Sequence, residues 1–307
     1  MPETFVIVGA GQAAAQVVDS LHRDGYAGRL VVVGDEPYPP YQRPPLSKKF
    51  LAGELPLERL AVKPAAFYDT AGVELRVGVR AEGLDLGARR VLLADGERLG
   101  YDRLVLATGS TPRKVQVPGH DLVGVHYLRT VADVAIVGVG VTPNTGLAAA
   151  AGLACDNGIA VDEHCRTSDP AVYAAGDCAS HPSPRYGRRV RLESVDNAFE
   201  QGKTVAANLR GATLVHDRVP WFWSDQYDLK LMIVGLSHDH DEVVLRGDPA
   251  SRSFACCYLK DGELLAMDCI NSPKDYMAAK KLIAERVRCH SGRLADPAVP
   301  LRESVLG

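Results

Sequence analysis

The chain has 307 residues, 35 lysines and arginines against 38 aspartates and glutamates, and 46% hydrophobic residues. Its length predicts two domains, and its formal charge of −3 gives no electrostatic reason to expect nucleic acid or an anionic membrane as partner. No apolar run approaches the ~18 residues that a bilayer span needs.

From Met1-Pro2-Glu3 the chain runs straight into a strand pattern without a basic leader, so a cytoplasmic location is expected. All seven cysteines, from Cys155 to Cys289, fall in the second half. None forms a C-x-x-C pair, and seven is odd, so the expectation is reduced, mostly buried thiols and no metal site.

Thr4-Phe5-Val6-Ile7-Val8 reads as a buried strand, Ala13 to Leu21 as a helix with its small and apolar residues on one side, and Leu30-Val31-Val32-Val33 as a second strand. Between strand and helix stands Gly9-Ala10-Gly11-Gln12-Ala13-Ala14, a G-x-G-x-x-A turn. Such a turn needs Gly9 for its tight bend, Gly11 so that a pyrophosphate can approach the backbone, and Ala14 so that the helix can lie close to the strand. The helix N-terminus, with Gln12 and Ala13, then offers N–H groups and a positive dipole end to phosphate. Asp35 or Glu36, closing the second strand, has the place to accept from ribose hydroxyls. This predicts dinucleotide binding and leaves NAD and FAD both open.

Five prolines fix an extended path through Pro37-Tyr38-Pro39-Pro40-Tyr41-Gln42-Arg43-Pro44-Pro45-Leu46-Ser47-Lys48, where Ser47 has the chemistry to cap a following helix. This segment resembles the FAD domain of the oxygenase-coupled ferredoxin reductases, within the glutathione reductase superfamily. Further matches follow in family order: Tyr101 to Gly109 with Ala107-Thr108-Gly109, Thr167 to Cys178 with Gly176-Asp177, Glu193-Ser194-Val195-Asp196-Asn197-Ala198, and Trp221-Phe222-Trp223. The resemblance implies FAD as cofactor, with Ala107, Thr108, Gly109, Gly176, Glu193, Ser194 and Val195 along its site. It implies that Asp177 bonds a ribityl hydroxyl, that Arg43 and Lys48 lie along the flavin and ribityl chain, and that Trp223 stands beside the ring while Trp221 packs. It names no acid–base catalyst, because the cofactor carries the chemistry.

In that family a NAD(P)H domain with its own glycine fingerprint interrupts the FAD domain. Here His126 to Asp133 runs straight into Val134-Ala135-Ile136-Val137-Gly138-Val139-Gly140. Pro143 and Asn144 favour a turn over a helix after Gly140, so this reads as a return strand, not a second fingerprint. The expectation is that the nucleotide domain is missing near 131–135, by an engineered deletion or, as the alternative, in a natural minimal flavoprotein, with NAD(P)H binding weak or absent.

Strands are expected over 229–236, 242–246, 253–259 and 263–270, with a hairpin at Asp261-Gly262 and a helix over 276–287 after a turn at Pro273. Cys256 and Cys257 should face opposite ways on one strand, and Ser237 to Glu242 should be a solvated loop. The predicted fold class is α/β. A Rossmann-like FAD domain of glutathione reductase type spans 1–217, and a smaller α+β C-terminal domain spans 218–307. The expected function is electron transfer from reduced FAD to a [2Fe–2S] ferredoxin, with NAD(P)H oxidation impaired or lost. The alternative is an FAD-binding scaffold or redox-sensing module without turnover.

Overall fold

The computed structural model describes residues 3–114, 116, 118, 130 and 140–306. The chain divides into two compact units, Met1–Asp217 and Arg218–Gly307.

In the first unit, β1 (Thr4–Val8) leads into α1 (Gln12–Arg23), which returns to β2 (Arg29–Gly34). A short helix, α2 (Ala65–Thr70), precedes β3 (Val73–Val77). An antiparallel sheet of β4 (Ala81–Asp85), β5 (Arg90–Leu93) and β6 (Arg98–Gly100) comes before β7 (Arg103–Leu106). Next, β8 (Ser110–Pro112) pairs with β9 (Val141–Pro143), and α3 (Gly146–Ala150) follows. The unit closes through β10 (Ile159–Ala160), β11 (Val172–Ala174), β12 (Ala179–Ser183), β13 (Arg188–Val190) and α4 (Val195–Leu209).

The central sheet runs β11-β7-β1-β2-β3, and every pairing in it is parallel. Both faces are covered, which is why β1 and β2 are continuous apolar runs with no alternation. Phe5 and Ile7 face a core built with α1 and α4, while Val6 and Val8 face one built with β5 and the segment around Ile159. Strand order reverses at β1, so the carboxyl ends of β1 and β7 flank a topological switch point, where open α/β sheets bind ligands.

The second unit is a five-stranded antiparallel sheet ordered β14-β15-β18-β17-β16. Its strands are β14 (Trp221–Gln226), β15 (Leu229–Gly235), β16 (Glu242–Asp248), β17 (Ser253–Lys260) and β18 (Glu263–Ile270). Ala255, Cys257 and Leu259 of β17 are buried under α5 (Pro273–Ala284), whereas Cys256 and Tyr258 turn to the other face. Asp261 and Gly262 both take positive φ, 48° and 80°, as a two-residue hairpin requires. The buried Arg246 donates to the carbonyls of Leu294 and Asp296 and of Val299, tying α6 (Ser291–Ala295) and the tail to the sheet.

Three expectations need correction. The helix expected over 276–287 begins at Pro273 and ends at Ala284, because proline suits the first helical turn and Arg286 takes a φ of 54°. Ser47 caps no helix; it ends a 3₁₀ turn, Pro44–Ser47, that the prolines themselves start. Trp221–Gln226, read only as a motif, is the edge strand of the second sheet. The reading of Val134 to Gly140 as a return strand lies outside the described residues up to Val139; Gly140 belongs to no strand and β9 begins after it.

Candidate functional site

Gly9 stands where β1 ends. Its φ is 112°, and a Cβ there would lie 2.1 Å from the Ala107 carbonyl oxygen. Only glycine lets the ends of β1 and β7 come this close. The turn is pinned from the other side, since the Gly9 N–H donates to the Val33 carbonyl at 2.8 Å.

Gly11 is different. It is the N-cap of α1 with extended backbone, no side chain caps that helix end, and a Cβ would meet nothing within 4 Å. The helix therefore presents the N–H groups of its first turn, at Gln12, Ala13 and Ala14, with open space before them. That is the geometry of an anion cradle.

Of the two acids closing β2, Asp35 is exposed and Glu36 is half-buried. Glu36 holds a compact set: Arg43 Nη2 lies 2.5 Å from Oε1, the Tyr41 hydroxyl 2.5 Å from Oε2, and Arg43 Nη1 donates to that hydroxyl at 2.8 Å. The proline-rich segment thus folds Arg43 back onto the acid seven residues before it. Lys48 is exposed, its Nζ 3.4 Å from the Pro44 carbonyl.

Beyond β7, Thr108 Oγ1 donates to the Asn144 carbonyl at 2.7 Å and Asn144 Nδ2 donates to the Thr108 carbonyl at 2.8 Å. This reciprocal pair joins Ala107-Thr108-Gly109 to the segment after β9. Asp177 arrives from β11, and its carboxylate accepts from Ser110 Oγ at 2.9 Å. Its carbonyl accepts from Arg191 Nη1 at 3.2 Å, while Arg191 Nη2 pairs with Glu193 at 2.7 Å. Ser194 caps α4 by accepting from the Asn197 N–H at 3.1 Å, and Val195 opens that helix.

The first unit therefore brings Gly9, Gly11, Ala107, Thr108, Gly109, Gly176, Asp177 and the start of α4 to the carboxyl ends of β1, β7 and β11. Trp223 belongs to the second unit. It lies on the α5-facing side of β14, its ring 5.4 Å from that of Trp221, over which Lys280 Nζ sits at 4.6 Å.

Ser110, Asn144, Arg191 and Gln201 escaped the reading of the sequence. Each acts by contacts 14 to 67 residues away, which no local pattern announces. The Cys178 thiol beside Asp177 is not a reactive group. It is buried against the Leu106 and Ala175 carbonyls, and burial pushes its pKa up. His238 to Asp241 are exposed, Ser237 is half-buried and Glu242 already opens β16, and no cluster of three or more metal-ligating side chains occurs among the described residues.

A parallel switch-point sheet, a glycine cradle at an uncapped helix end and an acid on the neighbouring strand define a dinucleotide-binding protein of Rossmann type. The sequence signature described as pyridine nucleotide-disulphide oxidoreductase matches residues 3–135 and 129–202, and that described as reductase C-terminal matches 221–305. The chain belongs to this pyridine nucleotide-disulphide oxidoreductase family, among its FAD-dependent ferredoxin reductases, and its cofactor is FAD.

It is 35% identical to the probable ferredoxin reductase CtmF of Castellaniella defragrans over 97% of each chain. It is 33% identical to a ferredoxin–NAD(P)(+) reductase of a Sphingomonas species, over 97% of this chain and 96% of that one. Putidaredoxin reductase, solved in covalent complex with putidaredoxin, superposes with a TM-score of 0.92 at 30% identity, covering 98% of this chain and 97% of that one. No helix among the described residues is long and apolar enough to cross a membrane.

Proposed function

We propose that this chain is an FAD flavoprotein that passes electrons to a ferredoxin of the [2Fe–2S] type and lacks efficient NAD(P)H oxidation of its own. Bound FAD would supply the redox chemistry, taking up and releasing electrons. The protein's part is binding, orientation and electrostatics. The N-terminus of α1 faces the pyrophosphate charge, Gly11 leaves the approach clear, and Glu36, steadied by Arg43 and Tyr41, receives the ribose. Asp177, held by Ser110 and Arg191, receives the ribityl chain, with Thr108 and the Glu193–Val195 segment beside it. Lys48 and Trp223 belong to this reading by resemblance to the family.

One observation carries the second half of the proposal. The alignment with the Castellaniella reductase runs over 398 positions but holds only 97% of this chain's 307 residues, so about 100 positions have no counterpart here, the size of a small domain. The family signature also matches in two pieces, 3–135 and 129–202, whose overlap at 129–135 falls where the proposed junction lies. Remote contacts to the adenosine and phosphates of NAD(P)H are what normally hold its nicotinamide in reacting position. Without them, reduction by NADH depends on random encounters.

Stopped-flow mixing of FAD-loaded protein with NADH should give flavin bleaching that is slow and linear in NADH, whereas dithionite-reduced protein should reduce a [2Fe–2S] ferredoxin. Saturable reduction at micromolar NADH overturns the loss of the nucleotide site. Protein that stays colourless on FAD reconstitution overturns the whole reading.

A further inference from the structure

Gln201 lies in α4 with no exposed surface. It lies beside the tight contact of α4 with α1: at the next residue, Gly202, a Cβ would come within 2.8 Å of Gln16 Cβ. A primary amide buried at such a contact is costly unless every polar atom is paired. Here both ends are. Oε1 accepts the Gly176 N–H at 2.8 Å and lies 3.3 Å from Asn197 Nδ2, while Nε2 lies 3.1 Å from His181 Nδ1.

The orientation of that amide is forced. A backbone N–H can only donate, so the oxygen must face Gly176, and the nitrogen is left to donate to His181. His181 then carries its proton on Nε2 and stays neutral, in keeping with a pKa that burial, the neighbouring His216 and Arg189 push down to about 3. Asn197 extends the network, donating through Nδ2 to the Leu192 carbonyl at 3.1 Å as well. One buried amide therefore links the turn before Asp177 to the segment that opens α4.

We infer that Gln201 is the positioning residue of the FAD site, fixing the Gly176–Asp177 turn at the geometry in which Asp177 meets the cofactor. The inference rests on the reading that Asp177 faces FAD. Gly176 is the position where such a fixture matters. Its φ of 83° places it in a region open chiefly to glycine, and a Cβ there would stand 3.3 Å from Ala13 Cβ on α1. A glycine turn has many alternatives when its N–H is released. Ser110 and Arg191 hold Asp177 itself, and Gln201 holds the residue before it.

The test measures FAD affinity and the visible circular dichroism of bound flavin in three variants. Gln201→Leu, similar in volume but without polar atoms, should weaken FAD binding roughly 5- to 100-fold and alter the flavin dichroism. Gln201→Glu keeps an oxygen for the Gly176 N–H and should bind closer to wild type than to the leucine variant. Asp177→Ala should lose affinity at least as strongly. Affinity lost in Asp177→Ala but unchanged in Gln201→Leu overturns the positioning role alone; affinity unchanged in both overturns the placement of Asp177 as well. Independently of any variant, the Gly176 amide of the FAD-free wild type should be protected from hydrogen exchange, and fast exchange there overturns the inference.

Discussion

Gly9 and Gly11 stand two positions apart and are glycine for opposite reasons. At Gly9 the protein itself fills the space, and the backbone is left-handed. Gly9→Ala should cost at least about 3 kcal/mol, seen as lost soluble yield or a much lower melting temperature. At Gly11 the backbone has a φ of −114° that alanine adopts freely, and no protein atom fills the space a Cβ would take. Gly11→Ala should keep the stability of the apo-protein within about 0.5 kcal/mol and still weaken FAD binding tenfold or more. Equal effects of the two substitutions on FAD-free stability would contradict the division of labour. His181 gives a second prediction at this scale. Its folded pKa of about 3 lies below the ordinary histidine value of 6.5, so between those limits the unfolded chain binds the extra proton. Stability should then fall with pH by up to about 1.4 kcal/mol per unit between pH 6.5 and 3. His181→Asn, which keeps an acceptor for Gln201, should show a smaller drop in melting temperature from pH 7 to pH 5 than wild type.

Between elements, the decisive contact is α1 on α4. Ala13, Ala14 and Val17 of the first helix meet Ala198, Val205 and Ala206 of the second in one core, and Gly202 sits at their closest approach. Gly202→Ala would press a methyl against Gln16 Cβ and the Ala13 carbonyl, neither of which is a flexible chain end. The helices must part, at a cost of about 1–3 kcal/mol. Because α1 carries the phosphate cradle at its N-terminus, FAD affinity should fall along with the melting temperature; loss of stability with unchanged affinity would show that the cradle does not depend on this packing. The same pair marks how far the sequence could be read. Gly9, Gly11 and the apolar runs around them announce the turn and both strands, because their constraints act within a few residues. The partnership of Gly176 with Gln201, or Asp177 with Ser110, leaves no local trace, since each spans tens of residues of chain and is settled by tertiary packing. Trp221–Gln226 is hard to read as a strand for a related reason: on an edge strand paired, among the described residues, with β15 alone, bulky and polar residues mix without clean alternation.

At the scale of the molecule, the question is how a chain can keep a complete cofactor cradle on the proposed reading that a whole neighbouring domain is gone. The sheet supplies the answer. β1, β2, β3, β7 and β11 pair with one another, and both faces of β1 are covered by residues of the first unit. The strands that flank the join, β8 and β9, pair with each other, and Asn144 is bonded to Thr108 and Gly109 across it. The cradle closes on contacts made on either side of the proposed join, so a domain placed there would be an insertion in the structural sense. Insertions are tolerated where the two chain ends already lie side by side, and lengthening such a connection costs little closure entropy. Inserting the nucleotide-binding segment of a ferredoxin–NAD(P)(+) reductase between residues 130 and 140 should therefore leave FAD content unchanged and convert the linear NADH dependence into a saturable one. A chimera that binds FAD normally yet still reacts linearly with NADH would contradict the proposal that absent nucleotide contacts limit the reaction.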